Sequence, residues 1–203
     1  MSFWDQQFSA PGFKYGTAPN AFLQEQAVLL SPHSRVLVPG DGEGRNGVWL
    51  AQQGHAVTTI DSSVVGLAKS RTLAAERGVL LDTVEADLTQ WSPGAAQFDA
   101  VVSIYLHLPP AVRSTIHHAL WSSLRTGGLV LLEGFHPRQL TFASGGPKDP
   151  AMLFTLDMLR ADLASVPGAT FEELLAWEGD TILNEGPGHQ GPAVVTRLVA
   201  RRL

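Results

Sequence analysis

Short apolar runs alternate with segments of helical spacing over the first two-thirds of the chain. Runs of four to eight β-branched or apolar residues, bounded by glycine, proline or aspartate, are typical of strands. The runs that fit this description are Arg35–Pro39, His55–Ile60, Val79–Val84, Phe98–Ile104 and Leu129–Phe135. Helical spacing or N-cap residues predict helices between them, over 46–53, from Ser62-Ser63 to Gly78, and over 110–124, with a turn at Gly127-Gly128.

The last third of the chain has a different pattern. The segment from Pro150 to Ala164 predicts a helix, and Thr170–Leu183 and Ala193–Leu203 predict two long strands. The stretch NEGPGHQGP between these strands is too rich in glycine and proline for a helix, so the strands form an antiparallel hairpin. The predicted fold is therefore α/β, a Rossmann-like seven-stranded and mostly parallel sheet with helices on both faces and this hairpin at its C-terminal end.

Composition narrows the class of protein. The 203 residues carry a formal net charge of −5, include no cysteine, and predict one domain over 1–203, with an N-terminal helical lid over 1–30 and the core over 31–203. An acidic chain is not expected to bind nucleic acid, and Arg197, Arg201 and Arg202 are interpreted as the solvated side of the last strand. The lack of a long apolar run or signal peptide predicts no membrane association and a cytoplasmic monomer or homodimer.

The turn after the first strand reads Gly40-Asp41-Gly42-Glu43-Gly44. A dinucleotide fingerprint would need its third glycine at position 45, which is Arg45. We expect the two acidic side chains to repel a pyrophosphate at the helix N-terminus but to tolerate a ligand with a positive centre, such as S-adenosylmethionine. Asp61 falls where a ribose-binding carboxylate belongs, and Asp87 follows the next strand, where it would accept from an adenine amino group.

The chain resembles class I S-adenosylmethionine-dependent methyltransferases over nearly its whole length. Within them it is similar to the tellurite-resistance and thiopurine methyltransferase branch. The stretches that carry the resemblance are WDQQF, YGTAPNAFL, VLVPGDGEGRN, GHAVTTIDSS, ADLTQW, FDAVVSIYLHLPP, LRTGGLVLLEGF, GGPK and EGPGHQG. Pro39 and Asp41 depart from the Gly-Cys pattern common in this turn.

The resemblance implies a role for each matching residue. Gly40, Asp41 and Gly42 would hold the methionine end of the cofactor. Asp61 and Ser62 would bind the ribose hydroxyls, and Asp87 and Leu88 would bind the adenine. Tyr105 would flank the cofactor near its methyl group. Arg45 and Asn46 would tie the turn together, Asn46 as part of the cofactor site, unless both are ordinary solvated helix residues.

The N-terminal aromatic residues allow two interpretations. They either pack on the outside of the domain or form a lid that brings a ring, Tyr15 in particular, close to the cofactor's sulfonium. The aromatic residues in question are Trp4, Phe8, Phe13 and Tyr15.

The chemistry implied by the resemblance is an in-line methyl transfer that needs little acid or base if the acceptor is already an anion. His189 and His107 are the candidate general bases, although a loop histidine bonded to backbone is the alternative for each. Arg138 is a candidate anchor for an anionic acceptor, and Glu133 and Glu185 are either ammonium ligands or buried turn acids. The histidines include no pair suited to a metal, so no metal is expected.

The predicted function is thus methyl transfer from S-adenosylmethionine to a small molecule, namely a thiol, a thiopurine-like compound, or a tellurium or selenium species. Two other functions stay open from the residues alone. One is a protein that binds S-adenosylmethionine without turning it over, and the other is an NAD-dependent oxidoreductase, which Arg45 and the acidic turn disfavour.

Overall fold

The computed structural model describes residues 2–203 and contains one seven-stranded sheet. Its strand order is β3-β2-β1-β4-β5-β7-β6. The first five strands are parallel to one another, whereas β7 is antiparallel to both β5 and β6. The strands are β1 (Arg35–Pro39), β2 (Ala56–Asp61), β3 (Asp82–Glu85), β4 (Phe98–Ile104), β5 (Leu124–Phe135), β6 (Phe171–Asn184) and β7 (Gln190–Arg202).

Helices cover both faces of this sheet, because alternate residues of its central strands point in opposite directions. On β1, Leu37 belongs to one apolar core together with residues of α5 and α6, while Val36 and Val38 belong to another together with residues of α2 and α3. The helices are α1 (Phe3–Phe8), α2 (Ala21–Gln26), α3 (Arg45–Gln52), α4 (Val64–Glu76), α5 (Pro110–Ser122) and α6 (Leu156–Ala164). None of the helices within residues 2–203 is long and apolar enough to cross a bilayer.

The architecture confirms the predicted fold class. The β6–β7 pair is the expected antiparallel hairpin, and its connecting loop is shorter than the sequence suggested, because pairing continues to Asn184 and Gln190. Since β6 runs in the same direction as β5, the loop 185–189 lies at the edge where the parallel strands have their carboxyl ends. The same edge carries the glycine turn and the residues that follow β2, β3 and β4.

Several predicted boundaries are wrong, among them those of α6, β3 and β5. The helix expected from Pro150 begins only at Leu156, after a single 3₁₀ turn. Strand β3 begins at Asp82 rather than Val79, whose backbone N–H instead closes the end of α4 by donating to Ala74. The Gly127-Gly128 turn lies inside β5 as a bulge, because pairing with β4 passes from Leu124 directly to Leu129.

The N-terminal segment is helical only in part, with α1 and α2 separated by an irregular stretch over 9–20. Helix α1 packs against the start of α4, where the carboxylate of Asp5 accepts hydrogen bonds from the Ser63 hydroxyl (2.8 Å) and the Val65 backbone (3.4 Å). Phe8 is 4% exposed and lies against the glycine turn. The segment therefore covers the edge of the sheet that carries the candidate site.

Candidate functional site

The glycine turn between β1 and α3 has a backbone conformation in which a residue with a side chain would be strained. Gly40, Gly42 and Gly44 have φ angles of 66°, 57° and 88°, all in the left-handed region. A β-carbon on Gly40 would lie 2.9 Å from a methyl carbon of Leu106, and one on Gly42 would lie 2.8 Å from the ring of Phe8. The turn is thus a narrow backbone cradle at the carboxyl end of β1, the position where open α/β sheets bind ligands.

Asp61 ends β2 beside this turn and holds it in place. One carboxylate oxygen accepts from the Gly42 backbone (2.9 Å) and the other from the Ser63 backbone (2.8 Å). Burial raises the pKa of Asp61, against the lowering effect of these hydrogen bonds. Ser62 is exposed beside it, as are Asp87 after β3 and, in part, Leu88. The structure brings these four residues to one edge of the sheet, and their contacts with a cofactor stay predictions.

The acidic side chains of the turn do not face a ligand. Asp41 points beneath the turn, where one oxygen accepts from the Gly47 backbone (3.0 Å) and the Thr59 hydroxyl (3.2 Å). Glu43 accepts from the Lys14 backbone (2.7 Å) and from the Lys69 ammonium (2.8 Å). The expected repulsion of a pyrophosphate by exposed carboxylates is not supported, since both side chains bond to protein groups, Asp41 through one of its two oxygens.

Arg45 and Asn46, at the start of α3, are buried rather than solvated. The Arg45 guanidinium donates from Nη2 to Glu185 in the hairpin loop at 2.7 Å. The Asn46 side-chain oxygen accepts from the backbone of Asn20 at 3.0 Å, so it ties α3 to the N-terminal segment. The interpretation of both as ordinary surface residues of a helix is wrong, whereas a role in tying the turn to its surroundings matches their contacts.

Asn20 is the centre of a buried polar network. Its amide nitrogen donates to Glu133 of β5 (2.7 Å) and to Glu185 (2.9 Å), and its oxygen caps α2 by accepting from Leu23. Glu133 also forms an ion pair with Arg197 of β7, which is therefore not on a solvated side of that strand. Both glutamates thus hold protein groups in this structure, which favours their interpretation as buried structural acids over that of ammonium ligands.

The N-terminal segment is fastened over the turn by a second set of contacts. The Lys69 ammonium of α4 donates to the carbonyls of Ala10 (2.8 Å) and Gly12 (2.6 Å) as well as to Glu43. The Gly188 backbone of the hairpin loop donates to the carbonyl of Lys14 at 2.8 Å. The position of the segment agrees with a cover over the turn rather than with packing on the outside of the domain.

His189 lies at the meeting point of the hairpin loop and an aromatic cluster. Its ring is 4% exposed and stands 4.4 Å from Tyr15, 4.5 Å from Tyr105 and 5.4 Å from Phe135, measured between ring centroids. Its Nδ1 is 3.7 Å from the Glu185 carboxylate. Burial lowers the pKa of His189 and Glu185 opposes the shift, so the ring is neutral and able to accept a proton at neutral pH.

Tyr105 follows β4 in a backbone conformation that is costly for a side chain. Its φ is 54°, and strain of this kind amounts to about 1–3 kcal/mol and is concentrated at functional sites. The ring stacks on Phe135 at 4.6 Å. The structure places Tyr105 after β4 in ring contact with Phe135 and His189, and its expected position beside the cofactor's methyl group stays a prediction.

His107 is fixed by backbone on both sides. Its Nδ1 donates to the carbonyl of Met152 (2.9 Å), and its Nε2 accepts from the backbone N–H of Phe135 (3.1 Å). Burial lowers the pKa of His107 to about 4. A ring with both nitrogens committed in this way cannot take a substrate proton without losing the bond to Phe135, so its arrangement matches the backbone-bonded alternative.

Arg138 lies away from this cluster. Its side chain is 58% exposed, and its guanidinium is 3.7 Å from Asp180 of β6, the outermost strand. The loop GGPK approaches His189 instead, because a β-carbon on Gly145 would lie 2.5 Å from the imidazole ring. The structure does not place Arg138 together with the other candidate residues, and its role as a substrate anchor stays a prediction.

Sequence reasoning missed the residues that join distant segments. Asn20 carries a signal for an N-cap, since it precedes a helical stretch, but no sequence pattern reveals its two carboxylate partners. Lys69 has the spacing of an ordinary exposed helix residue. The glycine-rich character of EGPGHQG was the one signal that found the hairpin loop, because close backbone packing needs glycine.

Comparisons with known proteins agree with the position of this site. Residues 36–128 match a family model described as a methyltransferase domain. That stretch contains the glycine turn, Asp61, Asp87 and Tyr105, so the family match covers the edge of the sheet described above. None of the curated proteins matches the chain in sequence.

Solved structures share the fold at low identity. The chain is 19% identical to TehB from Haemophilus influenzae, with a TM-score of 0.73 over 99% of this chain and 66% of that protein. It is 20% identical to a Burkholderia thailandensis 1,6-didemethyltoxoflavin N1-methyltransferase (TM-score 0.63, 90% and 76% of the chains). A magnesium protoporphyrin IX methyltransferase from Synechocystis, solved with S-adenosylmethionine, is 22% identical (TM-score 0.63, 90% and 76%).

Substitution of Gly42 by valine tests the cradle. The new side chain would be strained at a φ of 57° and would meet Phe8, so we expect loss of S-adenosylmethionine binding measured by calorimetry, together with displacement of α1. Gly78→Val is the matched control, because Gly78 has a φ of 67° and open space around it. Unchanged affinity in folded Gly42→Val protein would place the ligand elsewhere.

The raised pKa of the buried Asp41 side chain predicts that the stability of the fold depends on pH. Burial raises its pKa to about 6, above the 3.8 of an exposed aspartate, so the folded state binds the extra proton between these values. The contribution of Asp41 to stability therefore decreases as the pH rises from about 4 to 6, by at most about 3 kcal/mol. Asp41→Asn should remove this decrease in denaturant titrations across that range. An unchanged pH profile in the variant would contradict the assignment.

Proposed function

We propose that this protein is a methyltransferase that takes its methyl group from S-adenosylmethionine and transfers it to a small molecule, with a thiol, a thiopurine-like compound or a tellurium or selenium species as the acceptor classes. The observation that carries the proposal is the cradle of Gly40 and Gly42 with Asp61 at its side, within the matched domain. In the Synechocystis and Burkholderia structures of the same fold, S-adenosylmethionine or S-adenosylhomocysteine is bound.

The residues of this chain fit that cofactor. Gly40 and Gly42 supply a side-chain-free turn at the carboxyl end of β1, with Leu106 and Phe8 packed against it, and Asp61 offers a carboxylate to ribose hydroxyls at the end of β2. When bound, S-adenosylmethionine supplies an electrophilic methyl group and leaves as S-adenosylhomocysteine. The N-terminal segment and the hairpin loop exclude water from the place where acceptor and donor meet, which favours transfer over hydrolysis.

His189 is the general base that takes the proton from a methyl acceptor that binds in its protonated form. Burial would raise the pKa of Glu185, but the neighbouring His189 and Arg45 outweigh that effect and lower it to about 2, so Glu185 is ionised at neutral pH. Its charge beside Nδ1 stabilises the imidazolium that forms when Nε2 takes the thiol proton. The sulfur is then free to form its bond to the methyl carbon.

Size and charge favour a small acceptor over a macromolecule. The chain is acidic, and the candidate site is covered by the protein's own N-terminal residues. A second function is supported by the same cradle, namely binding of S-adenosylmethionine without turnover. The buried neutral histidine beside an ionised glutamate favours catalysis, since a binding protein has no use for a proton acceptor.

The proposal is tested by calorimetry and by turnover. We expect S-adenosylmethionine to bind and NAD not to bind, and Asp61→Ala to weaken binding by roughly 1–3 kcal/mol because ribose hydroxyls and the Gly42 backbone lose their acceptor. Asp61→Asn, which keeps one acceptor oxygen, should lose less. Labelled cofactor with a panel of thiols, selenite and tellurite should yield S-adenosylhomocysteine, and tight binding without any turnover would favour the non-catalytic alternative.

His189→Ala tests the proton acceptor. On a thiol that is protonated at the assay pH, we expect turnover to fall about 10²–10⁴-fold, with nearly unchanged cofactor affinity. His118→Ala, which changes a histidine on α5 that contacts Ser165, is the matched control. If both variants turn over the thiol at the rate of the parent while chemistry is rate-limiting, His189 is not the base.

A further inference from the structure

Besides Oδ1 of Asp41 and the hydroxyl of Ser70, in and beside the glycine turn, three buried polar atoms of the candidate site have no hydrogen-bond partner within residues 2–203. They are Nη1 of Arg45, the hydroxyl oxygen of Tyr105 and Nδ1 of His189. Leaving such a group buried and unpaired costs about 1–3 kcal/mol, and native proteins keep the arrangement where water or a ligand completes it. Because the three atoms lie close together, we infer that one bound group completes their hydrogen bonds.

Two of the three atoms lie beside the same carboxylate, and Tyr105, whose hydroxyl is near enough to Glu133 for that charge to raise its pKa beyond the effect of burial, joins them through its ring. Nη2 of Arg45 donates to one oxygen of Glu185, and Nδ1 of His189 lies 3.7 Å from that oxygen. The Tyr105 ring is edge-on to His189 with their centroids 4.5 Å apart, and the charges of both Glu185 and Arg45 act on the pKa of its hydroxyl. The unpaired atoms thus belong to one cluster between α3, the end of β4 and the hairpin loop.

Charge balance shows what is missing from this cluster. Each of its carboxylates already has a cation beside it, Arg45 for Glu185 and Arg197 for Glu133. Arg45 can only donate, and Tyr105 also donates, because burial raises its pKa and keeps the hydroxyl protonated. The N-terminus of α3 adds positive potential at the same place. A group that completes the cluster must therefore supply acceptor oxygens, and a negative charge suits it.

Resting on the proposed function, we propose that Arg45 and Tyr105 form a subsite for one anionic group of the methyl acceptor, in the simplest case a carboxylate. His189 stays beside this group, with Glu185 at its Nδ1, for the proton of the nucleophile. The acceptor class is thus a small molecule that carries an anionic group next to its thiol. A neutral thiol of equal size gains nothing from the two donors.

Mercaptoacetate and 2-mercaptoethanol are the probes, since they share a thiol and a similar size but differ in charge. With the protein saturated with S-adenosylhomocysteine, calorimetry gives the affinity of each probe, and with S-adenosylmethionine, turnover gives kcat/KM. We expect the parent to prefer mercaptoacetate at least about tenfold in affinity, the size of one or two charge-assisted hydrogen bonds. Where turnover is measurable, kcat/KM should show the same preference.

Tyr105→Phe is the decisive variant, because it removes a hydroxyl that bonds to nothing within residues 2–203. It should reduce the preference for mercaptoacetate to near equality while thermal stability stays unchanged. Arg45→Lys, which can keep the pair with Glu185 but lacks a second nitrogen, should act in the same direction. Ser70→Ala is the matched control, since Ser70 also has a buried unpaired hydroxyl, but beside Gly44 and outside the cluster.

Each outcome decides the proposal. An equal preference in parent and Tyr105→Phe protein means that water alone completes the cluster, and it overturns the subsite. Loss of affinity for S-adenosylmethionine in Tyr105→Phe, without loss of the preference, assigns the donors to the cofactor's own carboxylate and also overturns it. Failure of the proposed function has a different signature, in which the parent binds neither S-adenosylmethionine nor S-adenosylhomocysteine.

Discussion

The amide of Asn20 between the carboxylates of Glu133 and Glu185 is the contact on which the rest of the site depends. Two buried negative charges close to each other would be unstable without donors between them and a cation beside each. Asn20 provides the donors, and Arg45 and Arg197 provide the cations. Because these groups come from five separate segments, the network fixes the N-terminal stretch, α3, β5, β7 and the hairpin loop relative to one another.

This network gives the site its enclosed character. Once the N-terminal stretch is held by Asn20 at one end and by Asp5 at the other, its central part lies over the glycine turn, where Lys69 and Glu43 fasten it. The enclosure keeps water from His189 and lowers its pKa, which leaves a neutral imidazole at neutral pH. The same buried network therefore encloses the site and keeps its candidate base, His189, neutral.

The acidic turn shows how a correct conclusion can rest on a wrong cause. Asp41 and Glu43 disfavour a dinucleotide pyrophosphate in the sequence, yet Asp41 bonds to the start of α3 and Glu43 to Lys14 and Lys69. Phe8 of the N-terminal segment lies against Gly42 and limits the space over the turn.

Much of the fold follows from the sequence alone, because strand and helix periodicity are local properties. β1 and β4 have the predicted bounds, and the hairpin was readable from two long strands around EGPGHQG. The positions of Asp61, Asp87 and Tyr105 at one edge also followed, since parallel strands bring their carboxyl ends together. The tertiary structure alone decided that His107 is bonded to backbone on both sides, that Arg138 lies apart, and that Asn20 joins Glu133 to Glu185. These contacts join residues far apart in the chain, and the energy of a buried polar group depends on its partner, which no local pattern encodes.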